Sequence, residues 1–238
     1  MSILAPTQAA APTRGPRDVR RARRLTAAIL LPVAPLSVAV LRLIWPAFSA
    51  SDTAASVDAV AARPGAQEAV LWLSLVMTLT MVPAVLAAVR LARRRRPVLA
   101  MCAAGVNVVA YLAGATALVA PDLLTLVAVR GDHDRATIVP VIDAVNAHPT
   151  IGLGLILFVI GHIAGMILLG TALWRIIPAW ASIALIVSQP LHFIAYVVLQ
   201  IQLLDGLAWG LTALGFTACA LAIVRTPDND WDLPPANA

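Results

Sequence analysis

Two histidines, His162 and His192, stand inside long apolar runs, where an ionisable group is costly and therefore faces a cavity or a partner. An imidazole changes charge near neutral pH and binds metals through either ring nitrogen, so at such a position it can relay protons, hold a ligand or ligate iron. Asn107, with Tyr111 one helical turn further on, places an amide and a phenol in a third apolar run. Ser188, Gln189, His192, Tyr196 and Gln200 recur at spacings that keep them near one helical face, which must look inward. Pro190 within that stripe cannot donate to the carbonyl of Ile186, so a free acceptor is expected close to His192. The run around His162 is rich in glycine instead: Gly152, Gly154, Gly161, Gly165 and Gly170, with Gly161-x-x-x-Gly165 flanking the histidine. Small residues at that spacing let another helix approach closely.

Three chemistries fit this constellation. The amides and imidazoles can hydrogen-bond to one another and hold the helices together, each pair contributing about 0.6–2 kcal/mol. They can line a small-molecule or proton pathway built from Asn107, Tyr111, His162, Ser188, Gln189, His192 and Tyr196. Or His162 and His192 can donate both axial nitrogens to one b-type haem, with the glycines making room for the macrocycle. Against a coupled transporter stands the lack of an acidic residue in the middle of any span. HExxH, GxSxG, P-loop and histidine-box patterns are absent from the sequence, so no catalytic residues are assigned.

The elements that must position these residues are six apolar segments at about 25–48, 68–90, 98–120, 151–175, 178–204 and 206–225. A hydrocarbon core of about 30 Å needs about 20 apolar residues as helix, and each segment meets that length. With 61% apolar and 12% charged residues in 238, one six-helix bundle accounts for the chain. The expected fold is therefore all-α, a polytopic bundle over 25–225 with tails at 1–24 and 226–238. The 17 basic residues are all arginine. Arg14, Arg17, Arg20, Arg21, Arg23, Arg24, Arg90, Arg93, Arg94, Arg95, Arg96, Arg175 and Arg225 fall on one side, which the positive-inside rule makes cytoplasmic together with both termini. That placement follows a membrane rather than a nucleic-acid groove. Asp52, Asp58, Glu68, Asp122, Asp132, Asp134, Asp143 and Asp205 are assigned to the outer loops. Trp45, Trp72 and Trp209 near outer ends and Trp174 and Trp180 near inner ends read as interface anchors, with Trp231 outside the belt.

Finer features complete the expectation. The first span is too long for a signal h-region, so it reads as an uncleaved anchor despite Ser49-Ala50-Ser51, and Arg42 should snorkel to the interface. Pro32, Pro35 and Pro83 should bend their helices. Ile138, Val141, Ile142 and Val145 place a short amphipathic helix on the outer surface, as a cap on the bundle or a cover for an entrance. Asp132-His133-Asp134 reads as a solvated turn rather than a metal site, and Cys102 and Cys219 as unpaired packing residues. Residues before Gly15 and the Pro-rich tail after Arg225 are expected to be disordered.

The stretch Gly161-His162-Ile163-Ala164-Gly165, with Leu168–Arg175, Pro178-Ala179-Trp180 and Pro190-Leu191-His192, resembles six-span integral membrane proteins of high-GC actinobacteria. The resemblance implies a bacterial plasma-membrane bundle and carries no activity or site residues. The function expected from the sequence is a membrane-embedded small-molecule binding or transport module, more a non-enzyme than an enzyme and with no cofactor required. The alternatives are a haem redox protein and an accessory subunit. Expected partners are the lipid bilayer, a small ligand, and a membrane protein or a second copy; nucleic acid is not among them.

Overall fold

The computed structural model describes residues 18–232. Nine helices follow in order: α1 (Arg20–Ile44), α2 (Thr53–Ala62), α3 (Pro64–Ala92), α4 (Pro97–Arg130), α5 (Arg135–Asn146), α6 (Pro149–Ala172), α7 (Ala179–Phe193, widening into a π-helical turn at Ile194–Val198), α8 (Gln202–Arg225) and α9 (Asp228–Trp231). Six of them, α1, α3, α4, α6, α7 with its π turn, and α8, are long and apolar enough to cross a membrane. The chain is an all-α, multi-pass helix bundle. Proline opens α3, α4 and α6 at the first helical turn, where its missing N–H costs nothing.

Each long helix packs on the next in chain order, and α8 returns to α1, so the six close into a ring. The most extensive packing is between α4 and α6, and glycine makes it possible. A Cβ at Gly161 would stand 2.7 Å from that of Ala110, and one at Gly165 would stand 2.5 Å from Cγ of Asn107. The glycines around His162 thus serve helix packing within the chain. Gly170 does the same for α6 against α7, where a Cβ would meet Ile186 and the Ser182 carbonyl.

The two ends differ in charge. At the arginine-rich end Arg24 pairs with Asp228 at 2.8 Å, Arg90 with Asp232 at 2.8 Å and Arg94 with Asp230 at 3.4 Å. Trp231 is buried there beneath the Arg90 guanidinium, 4.8 Å from its ring centre. Residues 226–232 are therefore docked, against the expectation of a disordered tail, because three carboxylates and one indole find partners among the arginines. Arg14, Arg17 and the stretch before Gly15 lie outside the described residues. At the opposite, acidic end, Arg130 meets Glu68 and Arg135 meets Asp58 at 2.9 Å. Both described chain ends sit at the arginine-rich end.

Several element boundaries differ from the sequence reading, and two of them move polar residues. The third span continues to Arg130, so Asp122 belongs to a helix rather than to a loop. The fifth leaves regular helix after Phe193, and Gln200 lies exposed at φ 52°, off the stripe it seemed to extend. The surface helix expected from Ile138, Ile142 and Val145 is α5, with Ile142 buried and Val141 exposed. A second one, α2, starts at an Asp52 cap that accepts from the Ala55 N–H at 2.7 Å.

Candidate functional site

All six long helices, roofed by α2 and α5, contribute to a cavity of about 410 Å³ in the acidic half of the ring. Most of its wall is apolar: Val38 and Leu41 from α1, Val70 and Met77 from α3, Leu155 and Phe158 from α6. Such a lining with few polar groups is the usual make-up of a small-molecule site.

The polar groups concentrate around one carboxylate. Asp205, in the first turn of α8, is fully buried. It accepts from Nδ1 of His192 with one oxygen and from Nε of Arg42 with the other. Its side chain is 0% exposed and that of Arg42 12% exposed, so the pair is out of water. The Arg42 guanidinium then lies over three rings, 4.2 Å from the centre of Tyr196, 4.9 Å from Trp45 and 5.4 Å from Phe48. Aromatic faces supply part of the solvation the cation has lost. Arg42 was expected to snorkel to the interface and does not, because a carboxylate and an aromatic box meet it inside. Asp205 was assigned to an outer loop, and the early start of α8 at Gln202 brings it into the bundle instead. Gln202 itself holds the α1 end, donating to the carbonyls of Arg42 at 2.9 Å and Trp45 at 3.1 Å.

Behind the triad the two histidines do come together, as their joining on neighbouring helices predicted. Their ring centres are 5.5 Å apart, and Trp209 flanks both at 5.4 Å from His192 and 6.4 Å from His162. Trp209 is buried at 2% exposure, so it is a site residue and not the interface anchor expected of it. His162 donates Nδ1–H to the Phe158 carbonyl, which leaves Nε2 as an acceptor with no partner. Phe158 stacks on His162 at 4.4 Å and separates it from the cavity.

The other candidate residues divide. Tyr111, His192 and Tyr196 line the cavity. Asn107 is buried where α4 meets Gly165 and donates to the Ala103 carbonyl at 2.8 Å. Ser188 donates to its own helix at Leu185, and Gln189 donates to Thr212 of α8 at 2.8 Å, so both face helix contacts. Asp122, missed with Asp205, also lines the cavity, within reach of the Gln67 amide and of Arg42. Two carboxylates thus stand inside helices of a chain that seemed to have none there.

Four residues of the cavity wall keep a buried polar atom without a partner: Nη2 of Arg42, Nε1 of Trp45, Oη of Tyr111 and Nε1 of Trp209. Each is a hydrogen-bond donor. Buried donors are normally satisfied, so four on one cavity wall mark a place for acceptors. Among the described residues no group of three His, Cys, Asp or Glu is placed to hold a metal. Cys102 and Cys219 are both free thiols.

No protein-family model matches the chain, and neither a curated protein nor a solved structure matches it. Fold and site together define a multi-pass membrane protein with an Arg–Asp–His triad buried beneath a mostly apolar cavity.

Proposed function

We propose that this chain is a binding or transport module of a bacterial plasma membrane, taking a small, mostly apolar molecule with an oxygen-acceptor head into the cavity. With the arginine-rich end and both termini cytoplasmic, the cavity belongs to the outer half of the membrane. The observation that carries the reading is the set of four unpartnered donors on a mostly apolar wall. Arg42 is the chief contact for the acceptor head. Asp205 neutralises Arg42 and fixes its plane, and Nη2 is left as a buried donor without a protein partner on a residue that lines the cavity. His192, held by the same carboxylate, supplies a proton carrier beside the ligand. Asp205 and Asp122 stand toward the acidic ends of α8 and α4 rather than at mid-span, yet they give the cavity region carboxylates that can exchange protons, and this favours proton-linked transport over simple storage.

Haem ligation by His162 and His192 has less support. Of the glycines that would have made room for a macrocycle, Gly154, Gly161 and Gly165 are filled by α4 and Gly170 by α7, and Trp209 occupies the flank of both rings.

Decanoate, an apolar chain with an acceptor head, is the probe, titrated into the protein in lipid nanodiscs while tryptophan emission is followed. Saturable quenching that Tyr111→Phe and Arg42→Gln weaken by about tenfold or more supports the reading, as expected for loss of a bond to a charged group. Equal binding of decylamine, which offers a cation instead, would overturn the acceptor assignment.

A further inference from the structure

A second cavity, of about 640 Å³, lies at the arginine-rich end between the α3–α4 turn, the α6–α7 turn and the end of α8. We infer that it is a binding site for a phosphate-bearing anion. Arg90, Arg94, Arg95, Arg175 and Arg225 all line it, and among the described residues Asp230 is the one acidic residue on its wall. Topology accounts for many arginines at this end of the bundle. It does not account for five of them, drawn from three separate segments, converging on one cavity.

The guanidinium groups are unevenly satisfied. Arg90 reaches Asp232, and Arg94 reaches Asp230 at 3.4 Å, an open and weak contact between groups that are each more than half exposed. Arg95 has only the Arg175 carbonyl at 3.4 Å, and Nε of Arg90 is buried without a partner. Among the described residues no carboxylate lies within ion-pair distance of Arg175 or Arg225, whose side chains stand at the mouth of the cavity. Arg175 also holds its backbone at φ 66°, a conformation glycine takes freely and other residues rarely adopt. An arginine is kept where a glycine would close the turn more easily.

Planar, multi-donor guanidinium groups in this number match the several oxygens of phosphate, which they bind in paired hydrogen bonds. Trp180 and Trp231 complete the wall, and Trp180 is 57% exposed in the first turn of α7, at the arginine-rich end of that span. The phosphate can therefore come from a lipid headgroup or from a soluble compound. Asp230 sits where the anion would sit and acts as its internal competitor.

The test uses the full chain in phosphatidylcholine nanodiscs, with inorganic pyrophosphate as probe and tryptophan emission as readout. Arg175→Gln and Arg225→Gln are expected to weaken pyrophosphate binding by about tenfold each, Asp230→Asn to tighten it, and Arg21→Gln, outside the cavity, to leave it unchanged. Loss of the pyrophosphate response in discs containing phosphatidylglycerol would assign the site to a lipid headgroup; an unaltered response would assign it to a soluble phosphate compound. No response in wild type in either disc, or equal binding by wild type, Arg175→Gln and Arg225→Gln, would overturn the proposal. The opposite sign expected for Asp230→Asn keeps the test decisive if an arginine variant fails to fold.

Discussion

Removing Asp205 should be the most damaging single change at the acidic half of the bundle. Its side chain is fully buried and, among the described residues, is the only carboxylate in ion-pair contact with Arg42 and His192. Asp205→Leu strands a guanidinium that is 12% exposed and an imidazole that is 9% exposed. Breaking a buried ion pair by deleting one partner costs about 3–5 kcal/mol, because the other charge stays desolvated. At about 2–4 °C per kcal/mol for a chain of this size, the midpoint of thermal unfolding should fall by about 6–20 °C. The double variant Arg42→Met, Asp205→Leu removes the stranded cation as well, so it should unfold at a higher temperature than Asp205→Leu alone. Thermal challenge in mild detergent, with the folded fraction read by size-exclusion chromatography, measures all three. A midpoint for Asp205→Leu within about 2 °C of wild type, well under the loss expected for a buried pair, would refute the argument. So would a double variant that loses the sum of the two single losses.

Three further outcomes follow from packing. Gly165→Ala puts a methyl 2.5 Å from Cγ of Asn107 and should cost about 1–3 kcal/mol, whereas Gly105→Ala meets nothing within 4 Å and should stabilise the helix by about 0.5–1 kcal/mol; the same thermal assay separates them. Tyr111→Phe should leave the unfolding midpoint unchanged or raise it, since it deletes a buried hydroxyl with no partner, while decanoate binding weakens. Trp231→Ala should release the docked tail and make trypsin cut after Arg225 several-fold faster in proteoliposomes; an unchanged cutting rate would mean the arginine contacts hold the tail without the indole.

The six spans were legible because their signal is local, each a run of apolar residues of fixed length with arginines marking its ends, whereas their closure into a ring through α8 on α1 was not. The meeting of His162 with His192 was legible for a related reason, since a short connection, the six residues 173–178, sets α6 and α7 side by side. The triad was not. Arg42, Asp205 and Asp122 each stand near the end of an apolar run, where sequence reading assigns a charge to the interface or to a loop. Only the packing of α1 on α8 brings Arg42 and Asp205 together across 163 residues. A visible hint was Gln202 and Asp205 standing at the very start of an apolar run, opposite in sign to Arg42 at the end of another. The docked tail failed for the complementary reason. Asp228, Asp230 and Asp232 look solvated in isolation, and their partners lie in α1, the end of α3 and the α3–α4 turn. Ser188 and Gln189, which share the inward stripe with His192, face α7's own backbone and α8, because a helix in a closed ring has neighbours on two sides.

The central claim is that the cavity above Asp205 opens to the outer side and receives an acceptor-bearing apolar molecule. Ser74 lines that cavity on α3 at 9% exposure, and a single cysteine placed there tests it most directly. In a Cys102→Ala, Cys219→Ala background, Ser74→Cys in sealed right-side-out vesicles should react with a membrane-impermeant maleimide, and decanoate but not decylamine should slow the reaction. Labelling only after the vesicles are opened, or labelling at a rate decanoate does not change, would contradict the account.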